Sequence, residues 1–94
     1  MRTIESSGAF KRDYKRLLSA PRHREDAPPL ISAITALLVV DQPLPKNNRD
    51  HALSGAWTGF RECHVKPDLL LIYRKPDQGT LQMSRLGSHS DLFG

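Results

Sequence analysis

The chain has 94 residues, of which 38% are hydrophobic and 26% are charged, and this ordinary globular usage argues against a disordered chain and against a membrane protein. A chain of this length forms a single domain, residues 1–94, with one modest core. The net charge of +4 favours a polyanionic partner, nucleic acid above all.

The N-terminal half predicts a short strand followed by two helices. The strand covers Arg2 to Ser6, and Ser6 or Ser7 can cap a helix that ends before Pro21. Its apolar stripe is formed by Phe10, Tyr14, Leu17 and Leu18, and its basic outer face by Lys11, Arg12, Lys15 and Arg16. Asp26 can cap a second helix that carries proline in its first turn. The buried face of that second helix is predicted to be Leu30, Ile31, Ile34, Leu37 and Leu38.

The C-terminal half predicts strands. A basic, proline-bearing loop over residues 41–50 precedes a predicted strand over residues 57–65. One face of that strand would carry Trp57, Gly59, Arg61, Cys63 and Val65, and the other Thr58, Phe60, Glu62 and His64. The apolar run LLLIY is typical of a central strand covered on both faces, and Thr80 to Leu86 forms a last strand.

The fold class that follows is α+β. The order is β-α-α-β-β-β with a short C-terminal tail or helix, in which the last three strands form an antiparallel meander. The two helices are predicted to bury their apolar stripes against one face of the sheet.

The cellular compartment is predicted from two absences. Cys63 is the only cysteine, which excludes an internal disulfide framework and suits a reducing compartment. The opening MRTIESSGAF is polar where a secretory signal is apolar, and the run from Ala36 to Val40 is too short to span a bilayer. The sequence therefore predicts a cytoplasmic protein.

Metal and hydrolase chemistry are weakly supported. His51 and His64 are far apart in sequence, no pair of ligands has the close spacing of a structural zinc site, and Cys63 points away from His64 on the same predicted strand. Neither a Gly-x-Ser-x-Gly elbow nor a phosphate-binding glycine loop is present. No metal and no cofactor are predicted.

Acid–base cleavage of RNA requires fewer residues. Attack by the 2′-hydroxyl needs a base for that proton, an acid for the leaving 5′-oxygen, and positive charge at the phosphate. His51, His64 and His89 are candidates for the proton transfers, and Asp68 can orient an imidazole or act itself. The alternative is that each histidine is an ordinary surface residue. Phe93 is either docked in the core or able to stack on a base.

Three motifs occur in order: the run DHALSGAWTGFRECH, the run HVKPDLLLIYRK, and the ending RLGSHSDLFG. Together they resemble the YafQ branch of the RelE superfamily of bacterial toxins, which belong to type II toxin–antitoxin systems. The resemblance implies a compact RelE-like fold with two helices on an antiparallel sheet. It also implies a metal-independent, ribosome-dependent endoribonuclease that cuts mRNA in the decoding site. The implied partners are the ribosome with its mRNA and a cognate antitoxin of ribbon-helix-helix or similar DNA-binding type.

The family's active-site positions fall here on a small set of residues, with Glu62 at a position that the family commonly gives to an acid. The five positions are His51, His64, Asp68, His89 and Phe93. Our hypothesis makes His51 the general base or an orienting group and His89 the general acid. In it, His64 and Asp68 form a relay and orienting pair, Arg61 or a neighbouring cation steadies the phosphate, and Phe93 positions a base.

Binding of RNA or the ribosome is assigned to the basic helix face and to the loop that follows the second helix. The residues are Lys11, Arg12, Lys15, Arg16, Lys46 and Arg49. Two alternatives remain open: a non-catalytic module that binds RNA or a protein through this surface, and a ribonuclease that cuts free RNA without the ribosome.

Overall fold

A computed structural model describes all residues, 1–94. Three helices accompany a five-stranded sheet with the spatial order β1-β5-β4-β3-β2. In chain order the elements are β1 Thr3–Ser6, α1 Gly8–Leu18, α2 Ala27–Leu38, β2 His51–Ala52, β3 Arg61–Lys66, β4 Leu69–Arg74, β5 Thr80–Gly87 and α3 His89–Phe93. None of the helices has the length and apolar character needed to cross a membrane.

The predicted α+β class and the meander are confirmed. Strands β3, β4 and β5 pair antiparallel in sequence order, and all five residues of the run LLLIY in β4 are buried. The sheet as a whole is mixed rather than purely antiparallel, because β1 pairs parallel with β5, with Thr3 opposite Thr80. A two-residue strand, β2, lies between the predicted loop over residues 41–50 and the predicted strand over residues 57–65, where the sequence predicted no element, and it pairs antiparallel with β3.

Helix α1 begins as predicted. The Ser7 side chain accepts a hydrogen bond from the Phe10 N–H, which satisfies one of the free donors of the first turn. Leu18 was predicted to be buried but is 47% exposed, whereas the unpredicted Asp13 is buried. Asp13 is stabilised there because Oδ2 accepts from the Leu86 N–H at 3.0 Å and from Arg85 Nε at 2.7 Å, at a part of the β5 edge that β1 does not cover.

Helix α2 follows Asp26, but the carboxylate of Asp26 makes no capping bond. It accepts instead from Lys66 Nζ at 3.0 Å, which ties the start of α2 to β3. The buried face differs from the prediction at three residues, because Leu30 is exposed, Leu37 is only half-buried and Ala27 is fully buried. The residues buried in α2 are Ala27, Ile31, Ile34 and Leu38.

The two faces of the sheet carry different cores. Helices α1 and α2 cover one face, where 15 buried residues, including Cys63 and Leu71, form the main core. The other face carries a small cluster of Leu70, Ile72 and Leu92, against which Trp57 and Phe93 pack. Because β4 lies between the two clusters, it is apolar on both faces.

The predicted strand over residues 57–65 is wrong in its first half. Residues 55–60 form two successive turns, since Gly55 and Gly59 both take positive φ, at +65° and +93°, which interrupts the extended conformation. Trp57 therefore packs on the small cluster and not on the face of Cys63, where the alternation had put it. These turns bring Trp57 and Phe60 edge to face, with ring centroids 5.2 Å apart.

Candidate active site

A cavity of about 320 Å³ opens on the sheet face that carries the small cluster, between the turn joining β3 to β4 and the start of α3. Four of the predicted site residues line it, together with two serines of α3 and an apolar floor. The lining residues are Glu62, His64, Pro67, Asp68, Leu70, Ser88, His89 and Ser90. Residues from distant parts of the chain therefore meet in one concave, partly polar site.

Glu62 lies between two imidazoles. Its Oε1 is 3.6 Å from Nε2 of His51 and 3.9 Å from Nε2 of His64. His51 and Glu62 face each other across β2 and β3, and Glu62 and His64 are two residues apart on one strand and so share a face. The carboxylate is only 7% exposed. A buried carboxylate in this position can hold a protonated imidazole on either side.

The ring of His51 is fixed by the backbone next to it. Nδ1 lies 2.7 Å from the carbonyl oxygen of Arg49, and because a carbonyl can only accept, Nδ1 carries the proton. In neutral His51 the other nitrogen, Nε2, is then the one available as a base.

The residue before His51 is anchored on the opposite sheet face. Asp50 Oδ1 accepts from the Tyr73 hydroxyl at 2.6 Å and from Arg61 Nε at 3.2 Å. Burial, followed by the bond to Asp50, raises the pKa of the Tyr73 phenol well above its usual value, so the hydroxyl stays protonated and donates. This network holds the start of β2, and with it His51.

Asp68 lines the cavity with His64, but the two side chains make no hydrogen bond. The Asp68 carboxylate forms an ion pair with Arg22, in the connection between α1 and α2. Lys66 Nζ donates to the Arg22 carbonyl oxygen at 3.1 Å and so holds that connection beside the site. The structure thus adds Arg22 as a cation at the rim and leaves the predicted contact between His64 and Asp68 unmade.

Helix α3 carries His89 and Phe93. Ser88 Oγ accepts from the Asp91 N–H and the Asp91 carboxylate accepts from the Ser88 N–H, a reciprocal cap that fixes the first turn. This bond to Ser88 holds the pKa of Asp91 below its usual value. The half-buried Phe93 ring lies 5.1 Å from the ring of His89 and 6.0 Å from that of Trp57, so the docked position predicted for Phe93 also supports His89.

Arg61 lies away from the cavity. It alternates with Glu62 along β3 and so belongs to the other face of the sheet, where it binds Asp50. The predicted role of Arg61 at the phosphate therefore has no geometric support, and Arg22 is the better placed cation. Of the basic residues predicted to bind RNA, Arg49 borders a second cavity beside His64, and Arg16 borders a small one beside Ser88. Lys11 and Lys15 lie in a groove at the opposite side of α1.

The side chains at the candidate site are of types that transfer protons. Two imidazoles, two carboxylates and two hydroxyls line the cavity, and the imidazole of His51 lies behind Glu62. No group of three His, Cys, Asp or Glu side chains has the geometry to hold a metal ion. Cys63 takes no part, since it lies in the main core, where burial raises the pKa of its thiol to about 12.

Several site residues were missed from the sequence. Ser88 could have been predicted as a helix cap, because the order Ser88-His89-Ser90-Asp91 follows the pattern of a helix start. No sequence pattern indicates Arg22 or the carbonyl of Arg49, since the positions of both depend on how irregular connections fold against β3.

Comparison with known proteins places this geometry in a family. A family model described as a bacterial toxin of type II toxin–antitoxin systems, YafQ, matches residues 2–94. The mRNA interferase toxin YafQ of Escherichia coli K12 is 42% identical over 93 residues, which cover 99% of this chain and 97% of the relative.

Solved structures agree with the sequence match. YafQ in the crystal structure of the E. coli DinJ–YafQ complex has a TM-score of 0.85 and 38% identity, and all of each chain is covered. A metal-bound toxin from Helicobacter pylori has a TM-score of 0.86 and 44% identity, over 99% of this chain and 100% of that one.

Proposed function

Because the chain belongs to the YafQ family of bacterial toxins of type II toxin–antitoxin systems, we propose that it is an mRNA interferase, an endoribonuclease that cuts mRNA and so stops translation. One observation carries the proposal: His64 and His89, from two separate elements, line one cavity together with the buried Glu62, and His51, from a third element, lies against that same carboxylate. Three ordinary surface histidines would have no reason to converge.

The chemistry is transesterification by the substrate itself. The 2′-oxygen of the RNA bonds to the phosphorus and the bond from phosphorus to the 5′-oxygen breaks. The products are a 2′,3′-cyclic phosphate and a 5′-hydroxyl. A base takes the proton of the 2′-hydroxyl and an acid delivers one to the leaving oxygen. No oxidant, reductant or water molecule is consumed.

The geometry supports a division of roles. His51 is the general base through Nε2, since its Nδ1 is committed to the Arg49 carbonyl. His89, which lines the cavity with His64, is the general acid, and His64 with Glu62 stabilises the charge that develops at the phosphate. Asp68 orients the cation Arg22 toward the phosphate rather than orienting an imidazole. Phe93 supports His89 and presents a ring edge to a base.

Alanine variants of the two proton-transfer histidines test the assignment. We expect His51→Ala and His89→Ala each to lower the cleavage rate by about 10²- to 10⁴-fold, the usual contribution of a positioned acid or base. The matched control is His23→Ala, since His23 lies beside Lys66 and outside the cavity. Cleavage is measured by primer extension on translated mRNA. Full activity in both site variants would overturn the catalytic assignment and favour a non-catalytic binding module.

We propose that cleavage requires the ribosome. The chain carries 14 Lys and Arg against 10 Asp and Glu, and its exposed cations are spread over α1 and the connection before β2, which suits a large polyanionic surface. The cavity itself offers little surface for holding a free strand. Purified toxin should cut mRNA on programmed ribosomes and leave the same mRNA intact without them. Equal cutting of naked RNA would establish a ribosome-independent ribonuclease instead.

The proposed reaction needs no metal, because histidines can supply both proton transfers. A chelator selective for transition metals, used with Mg²⁺ retained for the ribosome, should leave the cleavage rate unchanged. This test is needed because the toxin from H. pylori to which the chain is similar was crystallised with bound metal. Loss of activity that zinc or copper restores would contradict metal independence.

The proposed partner is a cognate antitoxin with a DNA-binding half of ribbon-helix-helix or similar type, as YafQ of E. coli is crystallised with DinJ. Expression of the chain alone should arrest growth, and co-expression of a small acidic protein from the neighbouring reading frame should relieve the arrest and co-purify. Both the ribosome and this partner imply action in the cytoplasm.

A further inference from the structure

A second cavity of about 450 Å³ lies directly beside the first, on the other side of His64. The two cavities share His64 and Pro67. The lining residues of the second cavity are Asn47, Asn48, Arg49, His64, Val65, Lys66 and Pro67. Its size suits a small polar ligand.

The second cavity exists because β2 is short. After pairing with residues 61–62, β2 does not continue along β3, and the 3-10 turn Lys46–Asn48 lies beside the rest of that strand. Asn48 Nδ2 donates to the His64 carbonyl oxygen at 2.8 Å, in place of a strand neighbour. Arg49 then takes a left-handed φ of +50°. The second cavity is the space between this turn and the end of β3.

The lining selects an anion with hydrogen-bonding edges. No carboxylate lines the cavity, and Lys66 is already paired with Asp26. Arg49 is exposed and its guanidinium has no acidic partner, while the side-chain amide of Asn47 makes no hydrogen bond. A guanidinium binds phosphate and an amide binds the edge of a base, so the two unengaged groups match the two parts of a nucleotide.

We propose that this second cavity is the subsite for the nucleotide adjoining the scissile phosphate, with Arg49 on its phosphate and Asn47 on the edge of its base. The inference rests on the proposed function, because RNA whose scissile phosphate lies between His64 and His89 must extend past His64 on one side. The subsite makes Asn47 a determinant of which base is accepted next to the cut.

The variants are chosen to keep the backbone of the turn intact. Asn47→Ala removes the base-reading amide, and Arg49→Gln removes the cation but keeps the carbonyl that binds His51. Arg49→Lys restores the charge as a rescue. Matched controls are Gln78→Ala for an exposed amide and Arg24→Gln for an exposed arginine, both outside the two cavities.

The primary readout is cleavage of mRNAs that differ in each base flanking the cut. Asn47→Ala should lower discrimination at one flanking position by about tenfold, as loss of one base contact does, and leave discrimination at the other positions unchanged. Arg49→Gln should raise KM about tenfold with little change in kcat, and Arg49→Lys should bring KM most of the way back to the wild-type value. Unchanged base preference in Asn47→Ala, whether or not total cleavage falls, overturns the subsite.

A second readout separates this inference from the proposed function. Uncleavable 2′-O-methyl trinucleotides are titrated into labelled wild-type protein up to millimolar concentration, so that even the weak binding expected without the ribosome is detected. The side-chain resonances of Asn47 and Arg49 are followed by NMR. Shifts at these side chains in a protein that cuts no mRNA would support the subsite and refute the nuclease. Cleavage of mRNA without shifts at either side chain would support the nuclease and refute the subsite.

Discussion

The side chain of Glu62 illustrates what residue types alone can and cannot reveal. The sequence supplied an acid between two histidines along the chain, but the proximity of His51 depends on the pairing of a two-residue strand. A strand of that length has no periodicity to read. The sequence could therefore name candidate residues, four of which line one cavity, whereas the central position of Glu62 was not predictable.

Removing the charge of Glu62 tests its place between the imidazoles. Glu62→Gln keeps the shape, and we expect cleavage to fall by about 10²-fold because the protonated form of either histidine loses its carboxylate. The control is Glu25→Gln, an exposed residue in the connection between the first two helices. Wild-type rates in Glu62→Gln, measured on programmed ribosomes, would remove Glu62 from the mechanism.

Tyr73 acts on the site from the opposite face of the sheet. Tyr73→Phe removes the donor to Asp50, and we expect the free energy of unfolding to fall by about 1–2 kcal/mol, since the half-buried Asp50 carboxylate loses one of its two partners. His51 should also lose position, with a several-fold drop in kcat. Urea denaturation and cleavage assays measure the two effects. Tyr14→Phe is the matched control because its hydroxyl makes no hydrogen bond, and equal behaviour of both variants would contradict the anchoring role.

At the scale of elements, α3 is a part that the sequence left open. The prediction was a short tail or helix, and residues 89–93 form a helix that places His89 at the cavity. Five residues cannot sustain a helix alone, so α3 depends on its cap and on the burial of Leu92. The prediction of a strand from Trp57 was also wrong in its first half. Alternation of residue types does not identify a strand where glycines allow the chain to turn.

The cap of α3 can be removed through Asp91. Asp91→Ala should cost the helix about 1 kcal/mol, increase hydrogen exchange at the Leu92 and Gly94 amides, and lower cleavage several-fold through His89. Asp77→Ala, which removes a similar carboxylate from the Gly79 turn, is the control. Unaltered exchange in α3 would show that packing alone holds it.

The same cap predicts a pH dependence. Because the bond to Ser88 lowers the pKa of Asp91 in the folded protein, the stabilisation is complete above the carboxyl's unfolded pKa of about 3.9. It is lost as the pH falls through the lower folded value. Protection of the Leu92 amide in the wild type, corrected for intrinsic exchange, should therefore decline only in strong acid, and in Asp91→Ala it should show no such step.

At the scale of the molecule, the meander and the two helices were predictable because their patterns are local. The parallel pairing of β1 with β5 was not, since four residues give no indication of a partner 77 positions away. Likewise the division into a main core and a small cluster follows from the sheet's order, which no single segment encodes.

The thiol of Cys63 reports on the integrity of the main core. Burial raises its pKa to about 12, against about 8.5 for an exposed thiol, so the folded chain should resist alkylation by iodoacetamide at pH 8. In urea the single thiol should react fully within minutes. Labelling of the native protein at the rate seen in urea would show that the sheet opens far more readily than its burial implies.

The pairing of β1 with β5 also sets an order of events during synthesis. The first strand emerges from the ribosome long before Thr80 to Met83, its hydrogen-bonding partners, exist. His89 follows later still, on the helix after β5. The sheet edge and the cavity that His89 lines are thus completed together, once β5 and α3 have been made. A nascent chain that has not yet reached β5 therefore has an unpaired first strand and an incomplete candidate site.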